Sequence, residues 1–156
     1  MSTLLLALAV VSTGLYAGMM LVFLTGIMPA MARLNDEQFV TAMRRINEDV
    51  PRGVFVTTMF ASIAFPAAAL FVDPDGGRSG TQFWLLACGL ALTFLNHVVT
   101  AGGNVPLNNA LAASEGAGTP DATARAAFEP RWNRVHRIRT LLATAGFALV
   151  VAAALN

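Results

Sequence analysis

The chain has 156 residues, of which 56% are hydrophobic and 12% charged, with a net charge of +1 and a mean hydropathy of +0.62. Soluble domains carry roughly 25% charged residues, so half that share, joined to long apolar runs, describes a single integral membrane domain over residues 1–156. The small net charge, with no basic cluster interleaved with aromatics, excludes nucleic acid as a partner. A lone cysteine in an apolar run, Cys88, excludes a disulfide framework and a metal-thiolate motif, and the absence of lysine excludes Schiff-base chemistry through that side chain.

In chain order, the first apolar run covers about residues 4–28 and stops at Pro29. It has no positive n-region and exceeds the ~7–15 apolar residues of a cleaved signal. A retained span is therefore expected, in spite of the small-x-small triplet Ala30-Met31-Ala32. Within it, Gly14-Leu15-Tyr16-Ala17-Gly18 is a GxxxG motif of the kind that admits a neighbouring helix. Asn35-Asp36-Glu37-Gln38 then reads as a helix start, with Asn35 as N-cap and Gln38 completing a capping box. Phe39, Met43, Ile46 and Val50 follow at helical spacing, giving a short amphipathic helix at the interface or on the bundle end.

A second span is expected at about 53–72, with Pro66 inside it, followed by a tight polar turn at Asp73-Pro74-Asp75-Gly76-Gly77. The third span covers about 82–101 and the fourth about 137–155. Each approaches the ~20 residues that cross a bilayer core. Between them lies the longest connection, with a break at Gly102, Gly103 and Pro106, a short helix after Pro106, a small-residue linker at 112–120, and helix again from Asp121. Pro130 marks a further break or a new first turn. The fold class is thus all-α, a four-transmembrane-helix bundle with a short amphipathic helix in the first loop and helical segments in the third connection.

Nine of the ten arginines fall on one side of this arrangement: Arg33, Arg44, Arg45 and Arg52 in the first loop, and Arg125, Arg131, Arg134, Arg137 and Arg139 in the third connection and its border. The positive-inside rule makes that side cytoplasmic, with both termini outside and loops one and three inside, in the cell (inner) membrane.

Chemistry-bearing residues gather where the third span stops being apolar. Thr93, Asn96, Thr100 and Asn104 form a polar stripe beside His97, and Asn108 lies four residues beyond Asn104. On the fourth helix Trp132, His136 and Arg139 fall at i, i+4 and i+7, next to Asn133. Polar groups inside hydrocarbon face a bundle interior or a wet cavity, so a polar pocket at the cytoplasmic mouth of the bundle is expected. Each residue also has a plainer use: Asn104 as a helix cap, Asn96 and His97 as hydrogen-bonding glue between helices, Trp132 as an interfacial anchor, Arg134 and Arg137 as snorkelling charges. Arg139 is the hardest to dismiss, because a central arginine costs ~2.5–3.5 kcal/mol on insertion scales and needs a partner or an anionic ligand. Two histidines without Cys-x-x-Cys-His, paired carboxylates or His-x-x-His argue against a resident metal or haem.

Asn104-Val105-Pro106-Leu107-Asn108-Asn109-Ala110-Leu111 followed by Trp132-Asn133-Arg134-Val135-His136-Arg137-Ile138-Arg139-Thr140 resembles a family of small four-span membrane proteins long catalogued as a domain of unknown function, which includes the anthrone oxygenases of polyketide pathways. The Gly14–Gly18 motif with Pro29, and Met43-Arg44-Arg45-Ile46-Asn47, are similar to it too. The resemblance implies a dioxygen-using conversion of an anthrone to the anthraquinone without flavin or haem. On that implication His136 or His97 is the base, Arg139, Asn104 and Asn108 are oxyanion donors, and Trp132 is a stacking wall, with Asn133 and Asn96 also against the substrate. The partner is a hydrophobic small molecule or lipid within the membrane, and a homo-oligomer is compatible. Two other readings stay open: a non-enzymatic membrane protein binding a lipid, quinone or partner helix at the same corner, and a redox subunit with metal or haem on His97 and His136. A proton-coupled transporter is the poorest fit, since no span carries an internal Asp or Glu.

Overall fold

The computed structural model describes residues 2–73 and 77–156, so the centre of the expected Asp73–Gly77 turn lies outside the described residues. Those residues are almost wholly helical, and four helices are long and apolar enough to cross a membrane: Thr3–Met31, Gly53–Phe71, Gly80–Gly116 and Asp121–Ala154. A fifth, the connecting helix Asp36–Asp49, joins the first two and carries the expected capping box, Asn35 accepting from the Gln38 amide while the Gln38 side chain accepts from the Asn35 amide. The first long helix packs on the second and fourth, and the third lies along the fourth.

Two of the expected breaks do not occur. The third helix runs through Gly102, Gly103 and Pro106, and the fourth runs through Pro130. In the third, the backbone widens to a π-helical turn at Thr100–Asn104, and Pro106 falls in the first turn after it, where a missing N–H is tolerated. The first helix repeats the device, with a π-helical turn at Phe23–Ile27 ahead of Pro29. Pro130 is exposed, as is Ala126, whose carbonyl it leaves unbonded.

These continuations have a structural consequence. At 1.5 Å per residue the third and fourth helices are each about 50 Å long, well beyond the ~30 Å of a hydrocarbon core. Their ends therefore project past the spanning part and supply a surface for the connecting helix. Phe39, Val40 and Met43 are fully buried there against Leu111, Ala124, Phe128 and Trp132, with Met28 and Met31 of the first helix closing the cluster. Arg125 clamps this cap by donating to Asp36 Oδ1 (3.1 Å), Glu129 Oε2 (2.7 Å) and the carbonyl of Leu34 (2.8 Å), with its guanidinium 4.4 Å from the Phe39 ring centroid.

Close approach of the third and fourth helices depends on glycine. A Cβ at Gly146 would lie 2.7 Å from Thr93 Oγ1 and 3.0 Å from the Gly89 carbonyl, and one at Gly89 would lie 3.0 Å from the Gly146 carbonyl. The GxxxG of the first helix divides its work: Gly14 backs onto Phe147 of the fourth helix, whereas a Cβ at Gly18 would meet nothing within 4 Å.

Candidate active site

On the fourth helix Trp132, His136, Arg139, Thr140 and Ala143 form one buried stripe, as the helical period requires. Arg139 is 7% exposed, and its Nε–H donates to His136 Nδ1 at 2.9 Å. A guanidinium has donors only, so His136 Nδ1 carries no proton. The ring proton therefore sits on Nε2, which donates to the Met20 carbonyl of the first helix at 3.1 Å. With both nitrogens engaged and its ring stacked on Trp132 at 4.7 Å between centroids, His136 is a bracket that fixes the direction of Arg139. Trp132 is itself clasped by two asparagines one turn apart on the third helix: its Nε1–H donates to Asn108 Oδ1 at 2.8 Å, and its carbonyl accepts from Asn104 Nδ2 at 3.3 Å.

The guanidinium that this framework holds has no carboxylate. Ion pairs among the described residues use Arg44, Arg45, Arg52, Arg78 and Arg125, and none uses Arg139. The guanidinium also donates to the Thr100 hydroxyl at 3.4 Å and lies 5.4 Å from the Trp132 ring centroid. It faces a cavity of about 240 Å³ whose polar side is Arg139, Thr100, Asn104, Asn108, Trp132 and Asn47. The other side is apolar, from Met20, Phe23, Phe55, Val56 and Met59. Asn104 Oδ1 and Asn47 Nδ2, both from residues on this wall, are buried without a protein partner. Both π-helical turns border the cavity, through Phe23 and through Thr100 and Asn104.

Of the residues singled out from sequence, Arg139, Trp132, Asn104 and Asn108 thus share one enclosure, with His136 directly behind Arg139. Asn96 is an inter-helix link: it accepts from the Tyr16 hydroxyl at 3.0 Å and donates to the Arg139 carbonyl, tying three helices together. Asn133 faces elsewhere, lining a separate cavity with Arg137 and Pro29. His97 turns toward the second helix. The Ser62 hydroxyl donates to the Met59 carbonyl at 2.7 Å, so at 3.2 Å it accepts from His97 Nε2–H. That leaves His97 Nδ1 as a buried imidazole nitrogen with no partner among the described residues. The ring borders a second cavity of about 300 Å³ that meets the Arg139 cavity at Met59, Thr100 and Val105. Among the described residues no three His, Cys, Asp or Glu side chains form a metal-binding group.

Met20, Phe23 and Phe55 carry no signal in an apolar run, and Asn47 carries none beyond its place on an amphipathic helix. Tyr16, the one tyrosine of the chain, was a readable signal inside its GxxxG motif.

A family model described as anthrone oxygenase matches residues 39–149, well over half of the chain and all of the polar residues of the cavity. No curated protein and no solved structure matches it.

Proposed function

The chain belongs to the anthrone oxygenase family, and on that premise we propose that it is a membrane-bound, cofactor-independent oxygenase acting on an electron-rich polycyclic phenol or ketone of the anthrone type. The observation that carries this reading is the buried Arg139 guanidinium, paired with no carboxylate among the described residues, facing the apolar and aromatic side of its cavity. An uncompensated buried cation stabilises an anion that forms opposite it, far more than the same charge would in water.

In an anthrone the ring methylene is acidic because its anion is an aromatic phenolate. Loss of the first methylene proton puts negative charge on the carbonyl oxygen, where Arg139 donates to it. The electron-rich carbon then gives electrons to dioxygen and forms a C–O bond, leaving a hydroperoxide. Departure of the second proton from that carbon, with cleavage of the O–O bond, gives the second ketone and water. The methylene compound and one O2 thus become the quinone and one H2O. The first proton leaves toward the adjoining cavity, which His97 borders and where its Nδ1 has no partner among the described residues, so His97 is assigned as its acceptor. His136 positions Arg139, and Asn104 and Asn108 hold Trp132 as the stacking face. The apolar walls opposite Arg139 limit water around the anion and keep it reactive. The arginine asymmetry supports a cytoplasmic position for the capped end of the bundle.

The test is oxygen uptake and quinone absorbance with an anthrone in membranes carrying the unaltered chain, Arg139→Gln and His97→Ala. Arg139→Gln is expected to lower turnover by about a hundredfold or more, the scale of an oxyanion donor, and added imidazole to restore part of the His97→Ala loss. Turnover that survives both substitutions refutes the assignment. Ligand bound tightly with no oxygen consumed by the unaltered chain would make this a binding protein instead.

A further inference from the structure

The connecting helix lies along the loop side of the Arg139 cavity. It is held there by Phe39, Val40 and Met43, all fully buried, and Ile46, Asn47, Val50 and Pro51 form part of the cavity wall. A ligand dissolved in the bilayer approaches from the side instead. Beside the cavity, on the outer flank of the first helix, lies an open apolar groove of about 880 Å³ running from Val10 to Val22 and across to Phe147. The groove and the cavity have three wall residues in common: Phe23, Val50 and Phe55. Gly18 deepens the groove, because no side chain occupies the space beside it. Arg52, exposed and paired with Asp49 at 2.9 Å, stands at its loop end.

Resting on the reading of the cavity given above, we infer that this groove is a lateral port through which an acidic polycyclic phenol dissolved in the bilayer reaches Arg139, sliding between Phe23 and Phe55. The chemistry of the two compartments matches that cargo. Its ring body partitions into lipid by apolar burial and is accepted by a groove that is almost wholly apolar. Its ionisable oxygen is drawn toward Arg139 inside, which has no carboxylate partner among the described residues. Phe23 is placed for the hand-over, its ring centroid 6.3 Å from that of Trp132 and 6.1 Å from that of His136. A soluble, highly charged substrate would find no such path.

The experiment uses the full chain in phosphatidylcholine vesicles with Trp84→Phe, so that Trp132 is the remaining tryptophan of the original two. The probe is 2-hydroxyanthraquinone, acidic, coloured and not turned over, and quenching of Trp132 reports its arrival by stopped flow. Gly18→Leu fills the groove from a position whose Cβ would meet nothing within 4 Å; Val11→Phe, from an exposed position on the same wall, is a second plug. Both are expected to slow association and dissociation by about tenfold while leaving Kd within about twofold, the signature of a blocked path to an intact site. Unchanged rates in both plugs overturn the port and leave the cavity reading standing. No quenching with the unplugged chain overturns both. A fall in oligomer size on Gly18→Leu with unchanged rates would assign the groove to a second copy of the chain and overturn the port.

Discussion

Replacing one hydrogen by a methyl group at two glycines should have opposite effects. At Gly146 the new Cβ would sit 2.7 Å from Thr93 Oγ1, 3.0 Å from the Gly89 carbonyl and 3.3 Å from the Thr93 amide nitrogen. Two of those atoms are backbone of the third helix, so no side-chain rotation relieves the clash and the two helices must separate. Overpacking of this kind costs about 1–3 kcal/mol. The gain from alanine over glycine in a helix is at most about 1 kcal/mol, and less where the unfolded chain in the membrane keeps its helices. Gly146→Ala is therefore expected to destabilise by about 1–2 kcal/mol. Gly18→Ala meets nothing within 4 Å and should be neutral or stabilising by up to about 1 kcal/mol. Titration of the detergent-solubilised protein with dodecyl sulfate, followed by circular dichroism, measures both. A Gly146→Ala protein as stable as Gly18→Ala would mean that the third and fourth helices do not cross this closely. The Asn96 link to the Arg139 carbonyl two turns away would then lose its basis.

Three further outcomes follow from the site and its cap. His136→Phe keeps a ring against Trp132 but removes the acceptor of the Arg139 Nε–H, so affinity for an anionic phenol should fall about tenfold or more, the worth of a charge-assisted hydrogen bond; His136→Asn, which restores an acceptor, should recover part of it, and equal losses in both variants would refute the bracket. Asn104→Asp places a carboxylate in the cavity with Arg139 and is expected to leave a folded protein that no longer quenches with 2-hydroxyanthraquinone; retained binding would show that Arg139 does not receive the anion. Arg125→Ala removes the clamp between the fourth helix, Asp36 and the Leu34 carbonyl, so limited trypsin cleavage at Arg33 should speed up several-fold while the spans stay protected, and an unchanged rate would deny the clamp its role.

What the sequence could and could not disclose follows from the range of each interaction. The four spans were readable because transfer of apolar residues is a local, additive property. So was the Asn35 capping box, which closes within four residues, and so was the Trp132, His136 and Arg139 stripe, which needs only the helical period. The expected breaks at Gly102-Gly103-Pro106 and at Pro130 failed for a different reason. A proline's local cost is offset when a π-helical turn precedes it or its free carbonyl faces outward, and distant packing decides both. The partners of His97 and His136 were illegible in the same way. Ser62 lies 35 residues from His97 and Met20 lies 116 residues from His136, so similar imidazoles received different tasks from the topology.

The case against a plain scaffold turns on how much of the molecule is spent on Arg139. A buried arginine with no carboxylate weakens a membrane bundle, and a methionine or leucine at that position would relieve the cost. Yet both nitrogens of His136 are committed to holding the side chain still, Trp132 supplies the ring beside it, and Asn104 and Asn108 hold Trp132 in turn. Asn96 ties the backbone of the same residue to the first and third helices, and the Thr100 hydroxyl closes the shell from a π-helical turn. Each of these groups satisfies another, and the chain of support ends at a guanidinium aimed into an apolar space. Local rules broken at one point and braced from every side are what a site that must bind charge requires. A scaffold gains nothing from the arrangement, whereas a protein that stabilises a transient aromatic anion gains its central interaction.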